Sequence, residues 1–265
     1  MNSHPLKPVA MAASALLLAA CSQGNGSHDN NVKIAVDVPY QPMEYQKPDG
    51  SLTGFDIDLG NALCKKAQLH CQWQVQAWDG IIPGLMARKY DAIMSSMTIN
   101  DQRRQQLLFT TPYLKPPSAW FAPVTEQITE ANAQTLKGKT IGVQRGTLQD
   151  NYVTDLYGKD AHIRRYETAD DLRVDMNAGR LDLAFLDFPN GKTTMLDDGK
   201  GKYKIVGEMI DQPRKYFGDG FGIGLRKGDQ ELADKLDKAL DEARQDGSYQ
   251  QIYDRYFKVD SHANG

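Results

Sequence analysis

Two stretches of this chain are spelled on one plan. Met86-Ala87-Arg88-Lys89-Tyr90-Asp91-Ala92-Ile93-Met94 lines up with Asn177-Ala178-Gly179-Arg180-Leu181-Asp182-Leu183-Ala184-Phe185. Each reads as a helix end, a basic residue, an aspartate and a short apolar run with the bounds of a buried strand. Residues 32–37 (VKIAVD) and 140–144 (TIGVQ) likewise each open a unit and end in polar residues. Taken at face value, the repeat describes two α/β lobes. Ser95 and Ser96 follow the strand of the first lobe, and Asp187 follows that of the second. Ligands in open α/β sheets bind beyond the carboxyl ends of the strands, so two lobes facing each other across those edges make a cleft. A match this short is also what the small vocabulary of helix–strand joints produces by coincidence.

The stretch that carries most chemistry is 91–104, DAIMSSMTINDQRR. It starts as an apolar strand, breaks into the hydroxyls of Ser95, Ser96 and Thr98, and reaches Arg103 across a polar turn with Asn100 and Asp101 as helix-cap candidates. Hydroxyls both donate and accept, and a guanidinium presents a planar fork to a carboxylate. Such a strand end can hold the ammonium and the carboxylate of a free amino acid. The plainer alternative is a strand ending in a surface turn with a solvated arginine.

At 265 residues the chain has room for about two domains of ordinary size. Its 40% hydrophobic and 25% charged residues are those of a soluble globular protein, and a net charge of −3 disfavours nucleic acid as a partner. Five scattered histidines and three cysteines make no metal-binding spacing. Neither a metal nor an organic cofactor is expected.

The amino terminus reads as a targeting segment. His4 and Lys7 precede an apolar run over 9–20, which is short for a bilayer span and ends in small residues. Leu18-Ala19-Ala20-Cys21 resembles a lipobox, which implies a signal peptide over 1–20 and lipid attachment at Cys21. The alternative is an ordinary secretory signal with a chance cysteine. Residues 22–30 (SQGNGSHDN) lack apolar side chains and read as a tether, so the lipidated Cys and flexible tether span 21–31. In an oxidising compartment, Cys64 and Cys71 fall near a helix end and the next strand. A bridge between them closes a short loop worth about 2–3 kcal/mol; two buried free thiols are the alternative. Either way their role is structural.

Along the rest of the chain, strands are expected at 32–37, 72–76, 91–94, 119–124, 140–143, 163–166, 181–186 and 202–206, with a returning extended piece over 109–113. Asp56 is expected to cap a helix running to about Leu69. Further helices are expected at about 78–88, 148–157, 170–177, 231–244 and 249–257. The glycine-rich 216–225 (YFGDGFGIGL) reads as another strand.

Gly54-Phe55-Asp56-Ile57-Asp58-Leu59, Trp78-Asp79-Gly80-Ile81-Ile82-Pro83, 91–98, 138–146 and 217–225 stand in this order along the chain. Together they resemble the periplasmic amino-acid-binding proteins of ABC importers, the polar amino acid family, over about 32–257. The closest resemblance is to the lysine/arginine/ornithine-, histidine- and arginine-binding branch, which shares the paired cysteines. The resemblance implies an α/β type II periplasmic-binding-protein fold, with two lobes joined by two crossing strands. Lobe 1 is expected over 32–114 plus 218–258 and lobe 2 over 119–212, with hinge segments at 115–118 and 213–217. It further implies a monomer that delivers a free amino acid to an inner-membrane permease.

By position in the motifs, Arg103 takes the ligand α-carboxylate, assisted by backbone N–H groups at Thr98 and at Gly146, Thr147 and Leu148. Ser95, Ser96 and Asp187 take the α-ammonium. Tyr40 and Trp78 sandwich the side chain, and Asp37, with Glu44 nearby, meets its far end. Three residues depart from the branch. Leu148 stands in place of a second threonine, Trp78 replaces a smaller or flatter residue, and Arg145 sits beside the cleft, where it either repels a cation or pairs with Asp37 or Glu44. A cationic ligand is expected, with glutamine or cystine as the alternatives. Prephenate-type dehydratases also resemble this family, and Glu44, Asp187 or Glu208 is then the candidate general acid; the intact amino-acid clamp argues against that. No second hydrophobic span follows Phe257, which disfavours a receptor sensor domain.

Overall fold

The computed structural model describes Met1 and residues 30–258. The signal peptide, Cys21 and nearly all of the tether lie outside the described residues. Among the described residues no helix is long and apolar enough to cross a membrane, and no group of side chains has the makings of a metal site.

The chain opens with β1 (Asn31–Val36), the small hairpin β2 (Tyr45–Gln46) and β3 (Leu52–Thr53), α1 (Phe55–Lys66) and β4 (His70–Val75). Next come α2 (Trp78–Met86), β5 (Ala92–Ile93), α3 (Asp101–Arg104) and β6 (Leu107–Phe109). A second run follows: β7 (Ser118–Pro123), β8 (Thr140–Gln144), α4 (Leu148–Tyr157), β9 (His162–Tyr166), α5 (Ala169–Asn177) and β10 (Leu183–Asp187). It continues through α6 (Phe188–Gly191), a π-helical turn at Lys192–Asp197 and β11 (Tyr203–Ile210). The chain closes with α7 (Arg214–Phe217), β12 (Gly224–Arg226), α8 (Gln230–Gln245) and α9 (Ser248–Phe257).

Two five-stranded sheets result, ordered β4-β1-β5-β12-β6 and β11-β7-β10-β8-β9. Each has a parallel trio, β4-β1-β5 or β9-β8-β10, flanked by an antiparallel strand, β12 or β7. The sequence repeat is therefore a repeat of topology, and its conserved letters do matched work. The Asp91 carboxylate accepts from Lys33 N–H at 3.0 Å and the Asp182 carboxylate from Thr140 N–H at 2.7 Å, each tying its strand to the parallel neighbour, β1 or β8. Arg88 and Gly179, aligned in the repeat, both turn the helix end through a positive φ, 59° and 69°.

Each lobe has its own core. In the first, Phe55, Leu59 and Leu63 of α1 pack with Leu236 and Leu240 of α8 and Ile252 of α9. The 3–4 residue spacing of Ala233, Leu236, Leu240 and Ala243 turns one face of α8 inward. In the second, Trp120, Val143, Tyr152 and Phe185 gather Tyr216 and Phe217 of α7. The chain passes between the sheets twice, after β6 and before β12. Cys64 and Cys71 are joined by a disulfide that links α1 to β4, Cα to Cα 6.1 Å.

Two expectations fail. Asp56 does not cap α1: Gly54 is the N-cap, at φ 126°, and a Cβ there would fall 2.2 Å from the Met43 carbonyl oxygen. This close approach lays the 43–44 backbone against the helix start, leaving Asp56 wholly buried. Nor is 216–225 a single strand. It begins as the turn of α7, bends at Gly218 (φ 56°) and Gly220 (φ 111°), and is extended in the sheet only from Gly224. Glycine's freedom at positive φ lets the chain turn into a short antiparallel bridge with 97–99, where Ile99 N–H donates to the Gly220 carbonyl at 2.7 Å and Gly222 N–H to the Met97 carbonyl at 3.0 Å.

Candidate functional site

Parallel neighbours carry their carboxyl ends to the same edge, so the residues just past β1 and β5 face those ending β8 and β10. Between them lies a small cavity. Asp37, Tyr40, Glu44, Trp78, Ser95, Ser96, Thr98 and Arg103 line it from the first lobe, and Gln144, Thr147, Leu148, Gln149 and Asp187 from the second. All the residues expected to touch a ligand come together here except Gly146, which contributes its backbone at the rim.

Arg103 stands on α3, held by the cap that Asn100 forms when its side chain accepts from Arg103 N–H at 2.9 Å. One guanidinium N–H is spent on the Thr98 carbonyl at 2.9 Å, and the group lies 5.1 Å over the Trp78 ring. The cation on Trp78 is thus the protein's own. Burial lowers the guanidinium to about 10, opposed by the Asp187 charge, which leaves it ionised at neutral pH.

Ser95 Oγ accepts from Asp37 N–H at 2.9 Å and donates to Glu44 Oε1 at 2.9 Å. Ser96 donates its N–H to Asp56 Oδ2 at 2.7 Å, and Tyr113 donates its hydroxyl to the same oxygen at 2.7 Å. Glu44 and Asp56 therefore form a buried acid pair behind the two serines. Burial and the neighbouring Asp56 push Glu44 well above the carboxylate range. Burial raises Asp56 to about 6, against the bonds from Tyr113 and Ser96.

On the opposite wall, Asp187 gives no cap bond to α6. Its oxygens take Tyr40 OH at 2.7 Å and Gln149 Nε2 at 2.7 Å. Burial raises it to about 6, offset by Tyr40, Gln149, Ser118 and the Arg103 charge. Asp37 is raised to about 6 by burial, offset by bonds from the Gln144 side chain and the Trp78 N–H. At the start of α4, Thr147 caps the helix by accepting from Asp150 N–H, and Gly146 N–H is already given to the Asp150 carboxylate at 3.1 Å. The N–H groups of Thr147, Leu148 and Gln149 are among those whose acceptor must come from outside the helix.

Arg145 pairs with Asp79 at 3.0 Å on the half-exposed rim, and neither Asp37 nor Glu44 is its partner. Glu208 is exposed on β11 and does not line the cavity. Gln144 and Gln149 were not among the expected site residues. Gln144 had a signal, because it ends the strand that matches the one before Asp37; Gln149, the second residue of α4, had none.

Residues 32–259 match the bacterial extracellular solute-binding proteins, family 3. The chain is 41% identical over 249 residues to the L-arginine-binding protein of Pseudomonas aeruginosa, covering 93% of this chain and 95% of that one. It is 36% identical over 255 residues to the lysine/arginine/ornithine-binding periplasmic protein of Escherichia coli K12, covering 95% of this chain and 97% of that one. A solved ancestral arginine-binding protein bound to arginine has a TM-score of 0.78 at 29% identity, covering 86% of this chain and 98% of its own.

Proposed function

This chain belongs to the bacterial extracellular solute-binding proteins, family 3, and on that premise we propose that it captures a cationic L-amino acid between its lobes for an ABC importer. It is a binding protein and not an enzyme, as are the relatives it matches. It works in the periplasm, held to a membrane by lipid at Cys21, and hands its ligand to the permease.

The observation that carries this reading is the charge balance of the cavity. The lining carries two aspartates placed to meet a ligand, Asp37 and Asp187, and one base, Arg103, while burial and the neighbouring Asp56 raise Glu44, the acid behind the serines, toward its neutral form. Arginine, lysine and ornithine carry the complement, two positive groups and one negative. A neutral amino acid leaves one buried carboxylate without a partner, which is costly. In this arrangement Arg103 and the Thr147 and Leu148 N–H groups receive the α-carboxylate. Asp187, with Ser95 and Ser96, receives the ammonium, and Asp37 meets the side-chain cation. Tyr40 and Trp78 flank the aliphatic stem.

Calorimetric titration of the purified mature protein with each common amino acid, ornithine, citrulline and cystine tests the reading. Binding confined to the cationic set is expected, with Arg103→Ala weakening it by several kcal/mol because a desolvated charge pair is broken. Binding of glutamine or cystine alone overturns the ligand class. Undiminished affinity in Arg103→Ala overturns the clamp.

A further inference from the structure

A polar residue, Asp37, follows β1 and another, Gln144, ends β8, and the two residues meet. Gln144, closing β8, donates Nε2 to Asp37 Oδ2 at 2.9 Å. The same nitrogen donates to the Glu167 carbonyl oxygen at 3.0 Å. An amide nitrogen carries two hydrogens, and both are spent. Since a carbonyl oxygen only accepts, the amide cannot be turned end for end. Its remaining group is the acceptor Oε1, on a side chain that lines the cavity and is 5% exposed. Among the described residues no hydrogen bond reaches that oxygen. The charged groups that act on Asp37 from nearby, Glu167 and Asp79, are both acidic.

We propose that Gln144 is a specificity-determining residue that, with Asp37, offers one acceptor from each lobe at the far end of the cavity and so favours the guanidinium of arginine over the ammonium of lysine or ornithine. The proposal rests on the amino-acid-binding reading above. A guanidinium has five N–H donors in a rigid plane and can serve a carboxylate and an amide oxygen from different nitrogens at once. An ammonium is a compact, strongly hydrated point charge that Asp37 alone satisfies. A neutral amide has the donors without the charge. Because the nitrogen end of Gln144 is already tied down on both sides, its oxygen needs little ordering when a ligand arrives.

The test is titration of wild type, Gln144→Met and Gln144→Asn with L-arginine and with L-lysine. Methionine keeps the length of glutamine but removes its acceptor together with the two donors to Asp37 and Glu167; asparagine keeps the amide but withdraws it. The wild type is expected to prefer arginine. Gln144→Met is expected to lose about tenfold or more in arginine affinity and less than about threefold for lysine, with Gln144→Asn between. An equal loss for both ligands in the two variants means that Gln144 only ties the lobes together, and overturns the proposal, as does no loss at all. A wild type that binds neither ligand overturns the underlying reading and this proposal with it.

Discussion

At the scale of single residues, burial sets the pH response of the site. The ordinary value of Asp37 is 3.8, and burial lifts it to about 6. In the ligand-free protein it therefore holds a proton through the window between those values, whereas a cationic side chain needs it ionised. Binding must release that proton, so arginine affinity is expected to fall as pH drops below about 6, by up to about tenfold per unit for each carboxyl that titrates. The native chain binds more protons than the unfolded one in the same window, so these carboxyls cost stability as pH rises from about 4 to 6 and no further above it. Calorimetry at pH 5 and pH 7.5 checks the first effect, and Asp37→Asn should flatten it. An unchanged slope in Asp37→Asn assigns the proton elsewhere. Much of the cavity lining was legible in the sequence, because Asp37, Ser95, Ser96 and Asp187 follow or end strands whose carboxyl edge was foreseeable, and Arg103 stands in a motif that resembles a known family's. Asp56 was misread, since a carboxylate near a helix start looks like a cap until the buried N–H it actually serves, that of Ser96, comes from elsewhere in the chain. Gln149 was not visible because its partner, Asp187, is in a different element.

At the scale of elements, the disulfide closes the return from α1 to β4, where Leu69 N–H also donates to the Cys64 carbonyl at 2.8 Å. Replacing Cys64 and Cys71 by serine is expected to cost about 2–3 kcal/mol of stability, by releasing the unfolded chain from a short loop. Denaturant unfolding measures this. Neither cysteine lines the cavity, so arginine affinity should hold within about threefold; a large loss of affinity shows that the bridge positions the site. The longer helices were legible from their periodicity, as in α8, and the parallel strands from their apolar runs. Residues 216–225 were not, because alternating glycines look extended on paper while Gly218 and Gly220 bend the backbone to lie over residues 97–99. The π-helical turn at Lys192–Asp197 left no mark in composition or spacing.

At the scale of the molecule, the lobes are in contact on both sides of the cavity. Tyr40 reaches Asp187, Gln144 reaches Asp37, Trp78 Nε1 donates to the Gly146 carbonyl at 3.2 Å, and Asn190 donates to the Gln41 carbonyl at 2.8 Å. The Asp79–Arg145 pair adds a fifth link at the rim. Several of these hold cavity residues together, so under the proposed function a ligand is expected to enter while they are broken and to be enclosed when they form. Solution scattering should show a smaller radius of gyration with saturating arginine than without it, and an unchanged radius refutes a ligand-driven closure. The sheet order also constrains how the chain can be made. β12 lies between β5 and β6, and the rings of Tyr249, Tyr253, Tyr256 and Phe257 surround Phe55 at the head of α1. The second sheet, by contrast, is built from one uninterrupted run of chain, β7 to β11. During synthesis from the amino end, the lobe that appears first thus waits with an unfinished sheet until the last helix arrives, and the lobe that appears second is the first that can be completed.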